Sequence, residues 1–172
     1  ADGLGGHRGG EVASEMAVDL VGQHVREKKG DPESRLRESI AMANEQIYDA
    51  SQRDPALQGM GTTIVCLLLA EDGPSYVAHV GDSRLYRLRS GGISPVTEDH
   101  SLVATLVKEG ILTEEQARDD PRKNQILRAL GVRPDVEIDV APIALRPGDV
   151  FVLCSDGLHA LVSDAEIYQR AR

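Results

Sequence analysis

Thr62-Thr63-Ile64-Val65-Cys66-Leu67-Leu68-Leu69-Ala70 is the stretch that decides the fold class, together with the shorter runs that follow it: Tyr76 to Val80, Leu85 to Arg89 and Ile93 to Val96. The first run is aliphatic and β-branched throughout. That composition suits a central strand buried on both faces. Asp72-Gly73-Pro74 and Ser90-Gly91-Gly92 supply turns between the runs, so the spacing predicts an antiparallel meander. Upstream, residues 1–10 hold five glycines without periodicity and read as a tight loop. Val12, Met16 and Leu20 recur every fourth residue in a helix from Glu11 to about Lys29, with Gly30 past its end. Asp31 is placed to cap a second helix, Pro32 sits at its first turn, and Leu36, Ile40, Ala43 and Ile47 form its apolar stripe.

Downstream, Ser101 to about Glu109 is helical, and Thr113-Glu114-Glu115-Gln116 is a capping-box start for a short helix. Asp119 to Asn124 is polar and broken by proline, as expected of a mobile surface flap. Val136 to Ala144 alternates as a strand. Pro147-Gly148-Asp149 turns into the apolar strand Val150 to Cys154, which Ser155-Asp156-Gly157 ends. Ala165 to Arg172 is helical. A helix pair, a run of strands, helices and again strands argue for an α+β fold with mostly antiparallel sheet, not a doubly wound one.

The 172 residues suit a single domain. With 3% aromatic residues and no Trp, the core must be aliphatic and little is left for stacking on bases. The formal net charge of −9 is the opposite of a phosphate-tracking nucleic-acid binder. Cys66 and Cys154 are far apart in apolar runs, with no CxxC pair, and are expected to be buried reduced thiols. The longest apolar run, Ile64 to Ala70, is far short of the ~20 residues of a membrane span.

Three aspartates occupy the same kind of place. Asp2 precedes Gly3, Asp82 follows Gly81 at a strand end, and Asp156 precedes Gly157 at another strand end. Each can be a plain turn residue. Strand ends also bring such residues together, and convergent carboxylates repel until a cation neutralises them. Oxygen donors without cysteine or paired histidine favour Mg2+ or Mn2+ over Zn2+ or Cu2+.

Further motifs set these aspartates in context: Ala1-Asp2-Gly3-Leu4-Gly5-Gly6-His7, Gly59-Met60-Gly61-Thr62-Thr63, Val80-Gly81-Asp82-Ser83-Arg84, Asp99-His100-Ser101, Leu127-Arg128-Ala129-Leu130-Gly131 and Cys154-Ser155-Asp156-Gly157-Leu158. In that order they resemble the stations of the metal-dependent protein phosphatases (type 2C), in their bacterial form, with Leu127 where threonine is common. The resemblance implies two packed, mostly antiparallel sheets flanked by helix pairs, an α-β-β-α sandwich. It implies hydrolysis of phosphoserine and phosphothreonine in proteins by a metal-bound hydroxide. Mn2+ or Mg2+ would be the cofactor, as two core ions and a third, weaker one. Carried over, Asp2 would bridge two metals, the Gly3 carbonyl would ligate one of them, Asp156 would ligate the other, and Asp82 with Asp156 would hold the third. His7 would be the proton donor.

The family's upstream arginine-bearing segment and its downstream G-x-D-N segment are not found, so residues 1–172 are expected to be a single partial domain, incomplete at both termini, with a flap at about 99–124. The rival expectation is a catalytically impaired phosphoprotein-binding module. A purely structural acidic domain, unresponsive to Mn2+, is a third. Expected partners are phosphorylated proteins made by a Ser/Thr kinase, with neither nucleic acid nor membrane insertion, in the cytoplasm. Arg84 is expected to be structural, Asp99 a helix cap, His79 a satisfied sheet residue, His100 an anchor of the flap-side helix, His24 a partly exposed helix residue and His159 a surface residue.

Overall fold

The computed structural model of the chain describes residues 1–70 and 73–172, apart from the side chain of His7. The turn expected at Asp72-Gly73-Pro74 therefore falls partly outside the described residues. The glycine-rich start is more than a loop: Gly3–Leu4 is a two-residue strand, β1, and α1 already begins in His7–Glu27. Gly9 and Gly10 sit inside that helix because the chain passes close by. A Cβ on Gly10 would lie 2.8 Å from the Gly3 carbonyl carbon, and one on Gly9 3.2 Å from the Met60 Cβ. Each glycine weakens the helix by about 1 kcal/mol but admits this approach.

The second helix, α2, spans Pro32–Arg53, and the Asp31 carboxylate accepts the Ser34 N–H at 2.9 Å as its cap. Leu36, Ile40, Ala43 and Ile47 are buried, and α1 adds Ala13, Ala17 and Val21 to the same core. Burial of each large aliphatic side chain contributes about 1.5–3 kcal/mol, so this stripe anchors the helix layer.

The strands that follow are β2 (Gly61–Thr62), β3 (Ile64–Leu68), β4 (Ser75–Val80), β5 (Arg84–Arg89) and β6 (Gly92–Pro95). Next come α3 (Leu102–Lys108), α4 (Glu114–Asp119), β7 (Asp139–Ile143), β8 (Val150–Cys154), the single turn α5 (Asp156–His159) and α6 (Asp164–Ala171). They form antiparallel sheets ordered β3-β4-β7 and β6-β5-β8, with β1 paired to β2.

Two expectations need correction. Thr62 to Ala70 is not one central strand: it breaks at Thr63, whose N–H turns aside to the Asp2 carbonyl at 2.9 Å, and β4 rather than β3 is flanked on both sides. The meander also breaks, because β4 and β5 belong to different sheets. Gly81, at φ +104°, carries the chain across.

The layers follow from the period of two along the strands. Tyr76, Ala78 and Val80 of β4 pack under α1 and α2, whereas Val77 meets Leu85 and Ile143 between the sheets. On the far side Tyr86 and Leu88 pack on Ile167 of α6. The order helix pair, sheet, sheet, helix is the expected α-β-β-α sandwich. Thr113 and Gln116 form the expected capping box, Ser101 caps α3, and Arg122 grips Asp120 through both carboxylate oxygens just after α4. Cys66 and Cys154 are free and half-buried, and burial pushes the Cys66 thiol up to about 11. No helix among the described residues is long and apolar enough to cross a membrane.

Candidate metal centre

The site is built on Thr63. Its buried hydroxyl accepts the Asp2 N–H at 3.0 Å and bonds the Ser83 hydroxyl at 2.7 Å. The Asp2 carbonyl in turn accepts the Thr63 N–H at 2.9 Å and the Thr62 hydroxyl at 2.9 Å. One β-sheet corner thus holds both the start of the chain and the Gly81-Asp82-Ser83 crossover. Gly81 has no alternative: a Cβ there would stand 2.6 Å from the Thr63 Cγ2. Gly3 is equally constrained, since its Cβ would meet the Gly10 carbonyl oxygen at 2.0 Å. Thr62 also pairs with Leu130 through reciprocal main-chain bonds of 3.1 and 2.8 Å. The loop after Leu130 is fixed by buried Asn44, whose amide donates to the Arg133 and Pro134 carbonyls and accepts the Gly131 N–H.

Carboxylates converge on this corner. Asp156, at the start of α5, is raised from its usual value by burial and then by Asp2, which lies within hydrogen-bonding reach. Asp82 is 8% exposed, and its carboxyl is pushed up to about 6 by burial, then by the negative charges of Asp99, Asp156 and Asp2. Asp2, Asp82 and Asp156 are therefore brought together, with the Gly3 main chain beside them in β1. His7 opens α1 and its side chain lies outside the described residues. The donors are oxygens, and their mutual repulsion is uncompensated where they meet. A hard divalent cation fits that set.

The surroundings include residues that periodicity could not assign. Asp99 does not cap a helix: Arg84 grips it in a fork, Nε to Oδ1 at 2.9 Å and Nη2 to Oδ2 at 2.8 Å, while Arg84 Nη1 donates to the Tyr86 hydroxyl at 2.8 Å. The positive charge of Arg84 is thus committed to Asp99, one of the carboxylates whose charge raises Asp82. His159 is not a surface residue either. Its Nε2–H donates to the Asp82 carbonyl at 3.0 Å. His24 bonds Ser39 across the two helices.

His79 and His100 stack with ring centroids 4.5 Å apart, and with Asp139 they bring donor atoms within 4.8 Å of one another. This cluster does not suit a second ion. Gly81 N–H donates to His100 Nδ1, which places the imidazole proton on Nε2 where a metal would need a lone pair. Arg128 already contacts both His100 Nε2 and Asp139. His79 Nε2 is satisfied by the Glu98 carbonyl at 2.8 Å, as expected of a sheet histidine.

Comparison with known proteins identifies the family and the fold. Residues 1–171 match the protein phosphatase 2C family model. The chain is 42% identical over 172 residues to the serine/threonine phosphatase stp of Listeria monocytogenes, covering 97% of this chain and 68% of that protein. It is 40% identical over 171 residues to the protein phosphatase PhpP of Streptococcus pneumoniae, covering 97% and 69%. Among solved structures, the Mycobacterium tuberculosis serine/threonine phosphatase PstP/Ppp superposes with a TM-score of 0.86 at 37% identity, covering 98% of this chain and 71% of that one. The catalytic domain of PstP in complex with two manganese ions gives 0.82 at 36% identity, covering 97% and 70%.

Proposed function

The chain belongs to the protein phosphatase 2C family, and on that premise we propose how it removes phosphate from phosphoserine and phosphothreonine in proteins: Asp2, the Gly3 carbonyl, Asp82 and Asp156 hold manganese or magnesium, and His7 protonates the leaving oxygen. The convergence of Asp2 and Asp156 from opposite ends of the chain, with Asp82 behind them, carries this reading. When bound, the ions neutralise phosphoryl oxygens and make a water acidic enough to attack.

The chain's own residues do the rest. Thr62 and Thr63 lock the Asp2 main chain, so its carboxylate loses little freedom on binding. Asp82, together with Asp156, would hold a third, weaker ion. Arg84 holds Asp99 in place, which keeps that carboxylate from competing as a mobile ligand. His7 gives its proton to the serine or threonine oxygen as the P–O bond breaks, the general-acid task that histidine most often performs.

Residues 1–172 act in this reading as one partial phosphatase domain. The 99–124 flap borders the site, since the His100 N–H donates to the Gly81 carbonyl at 3.0 Å. A phosphomonoester on serine or threonine requires an ATP-dependent kinase to have made it. We infer that the substrates are kinase products and that the reaction is cytoplasmic.

Release of phosphate from p-nitrophenyl phosphate and from a phosphothreonine peptide, with Mn2+ and with EDTA, tests the assignment. Turnover should require the metal and fall by at least about 100-fold in Asp156→Ala. Turnover indifferent to EDTA or to that substitution rejects the carboxylate site. Tight phosphopeptide binding without any turnover would favour a binding module instead.

A further inference from the structure

The carboxylates of Asp2, Asp82 and Asp156 repel one another before any ion arrives, so something must keep their supports from drifting apart. Asp2 and Asp82 share the Thr63 corner. Asp156 is carried on a separate element: it rides on α5, a single turn that follows the edge strand β8. The far end of that turn is His159. Its Nε2–H reaches the carbonyl of Asp82 itself, at 3.0 Å and 77 positions away in sequence.

Resting on the metal-site reading above, we propose that His159 is a positioning residue that sets the spacing between Asp156 and Asp82. One rigid turn then carries a ligand at its first residue and a tether to the other ligand's main chain at its last. The opposite side of the Asp82 peptide is equally committed. Gly81 N–H donates to His100 Nδ1 at 3.2 Å, and the Gly81 carbonyl accepts the His100 N–H at 3.0 Å. With Gly81 clasped by His100 and Asp82 by His159, the aspartate cannot recoil without breaking a buried main-chain bond. The tether spans only Asp82 and Asp156, so it governs the ion they share more than one bridged by Asp2.

The experiment is a Mn2+ titration of the protein, with free Mn2+ read by electron paramagnetic resonance, on the wild type and on Asp82→Asn, His159→Leu and His159→Gln. Metal-free melting temperatures accompany each. Asp82→Asn should lose the weakest site. His159→Leu should weaken that same site about tenfold, the weight typical of a group that orients a ligand, and spare the tighter sites. His159→Gln carries an N–H to the same carbonyl and should restore most of the affinity. Should His159→Leu fail to fold, His159→Asn, whose shorter amide falls short of the carbonyl, gives the same contrast. Asp82→Asn binding Mn2+ as the wild type does would overturn the ligand reading and the tether with it. Loss of the site in Asp82→Asn but not in His159→Leu, or equal weakening in His159→Leu and His159→Gln, would overturn the tether alone.

Discussion

Asp2 and Asp156 lie at opposite ends of the chain, yet they meet: burial first, and Asp2 second, raise the Asp156 carboxyl from its usual value. Two acids so placed make the metal-free protein less stable than it need be. Asp156→Asn should therefore stabilise the protein in EDTA slightly, by less than about 1 kcal/mol because a half-exposed pair is screened, and so raise its melting temperature. The same substitution should abolish most of the rise that Mn2+ produces in the wild type. Scanning calorimetry with and without Mn2+ reads both effects. A fall in EDTA would mean that the two groups share a proton so favourably that they do not repel.

Arg84 and Asp99 make the opposite case, a charge pair with two well-formed hydrogen bonds and side-chain exposures of 29% and 13%. Arg84→Met should cost about 3 kcal/mol in urea unfolding, since it strands Asp99 beside Asp82. The double variant Arg84→Met with Asp99→Leu should recover part of that loss. No recovery would show that Arg84 matters through Tyr86 and packing alone.

These residues also show what could be read before folding and what could not. The helix α2 was legible because its cap, its proline and its apolar stripe are local, and β8 because an apolar run ends at a turn. The aspartates were legible as candidates because each lies next to a glycine. Their meeting was implied by the order of motifs, since nothing in the local sequence says which strand ends share a corner. The break at Thr63 was not legible: Thr62 to Ala70 reads as one strand until the Asp2 main chain claims the Thr63 N–H. The bond from His159 to Asp82 was hidden for the same reason, as a single long-range hydrogen bond to a main-chain group leaves no period in the sequence.

Gly81 carries the crossover between the two sheets at φ +104°, and the Thr63 side chain fills the space where a Cβ would stand. Gly81→Ala combines a strained backbone with a collision in a packed corner. A loss of about 2–4 kcal/mol is expected, measured by urea unfolding. Because Thr63 also holds Asp2, the weakened corner should bind Mn2+ less tightly as well. A variant that unfolds earlier but binds Mn2+ unchanged would show that the corner relaxes away from the ligands.

Far from the site, Arg89 grips Asp149 through Nε at 2.7 Å and Nη2 at 2.6 Å, and the Asp149 side chain is 3% exposed. That bond, with the Arg146 N–H, holds the Asp149 carboxyl down at about 2, against 3.8 for the free group. The folded protein therefore binds this proton more weakly than the unfolded chain does. The stabilisation is complete above about pH 4 and is lost as pH falls toward 2. Asp149→Asn should melt several degrees lower than the wild type at pH 6, and the gap should close by pH 2. Melting curves of the two proteins across that range decide it, since every other carboxylate is common to both. A gap that stays constant with pH would mean that Asp149 acts through its neutral hydrogen bonds and not through its charge.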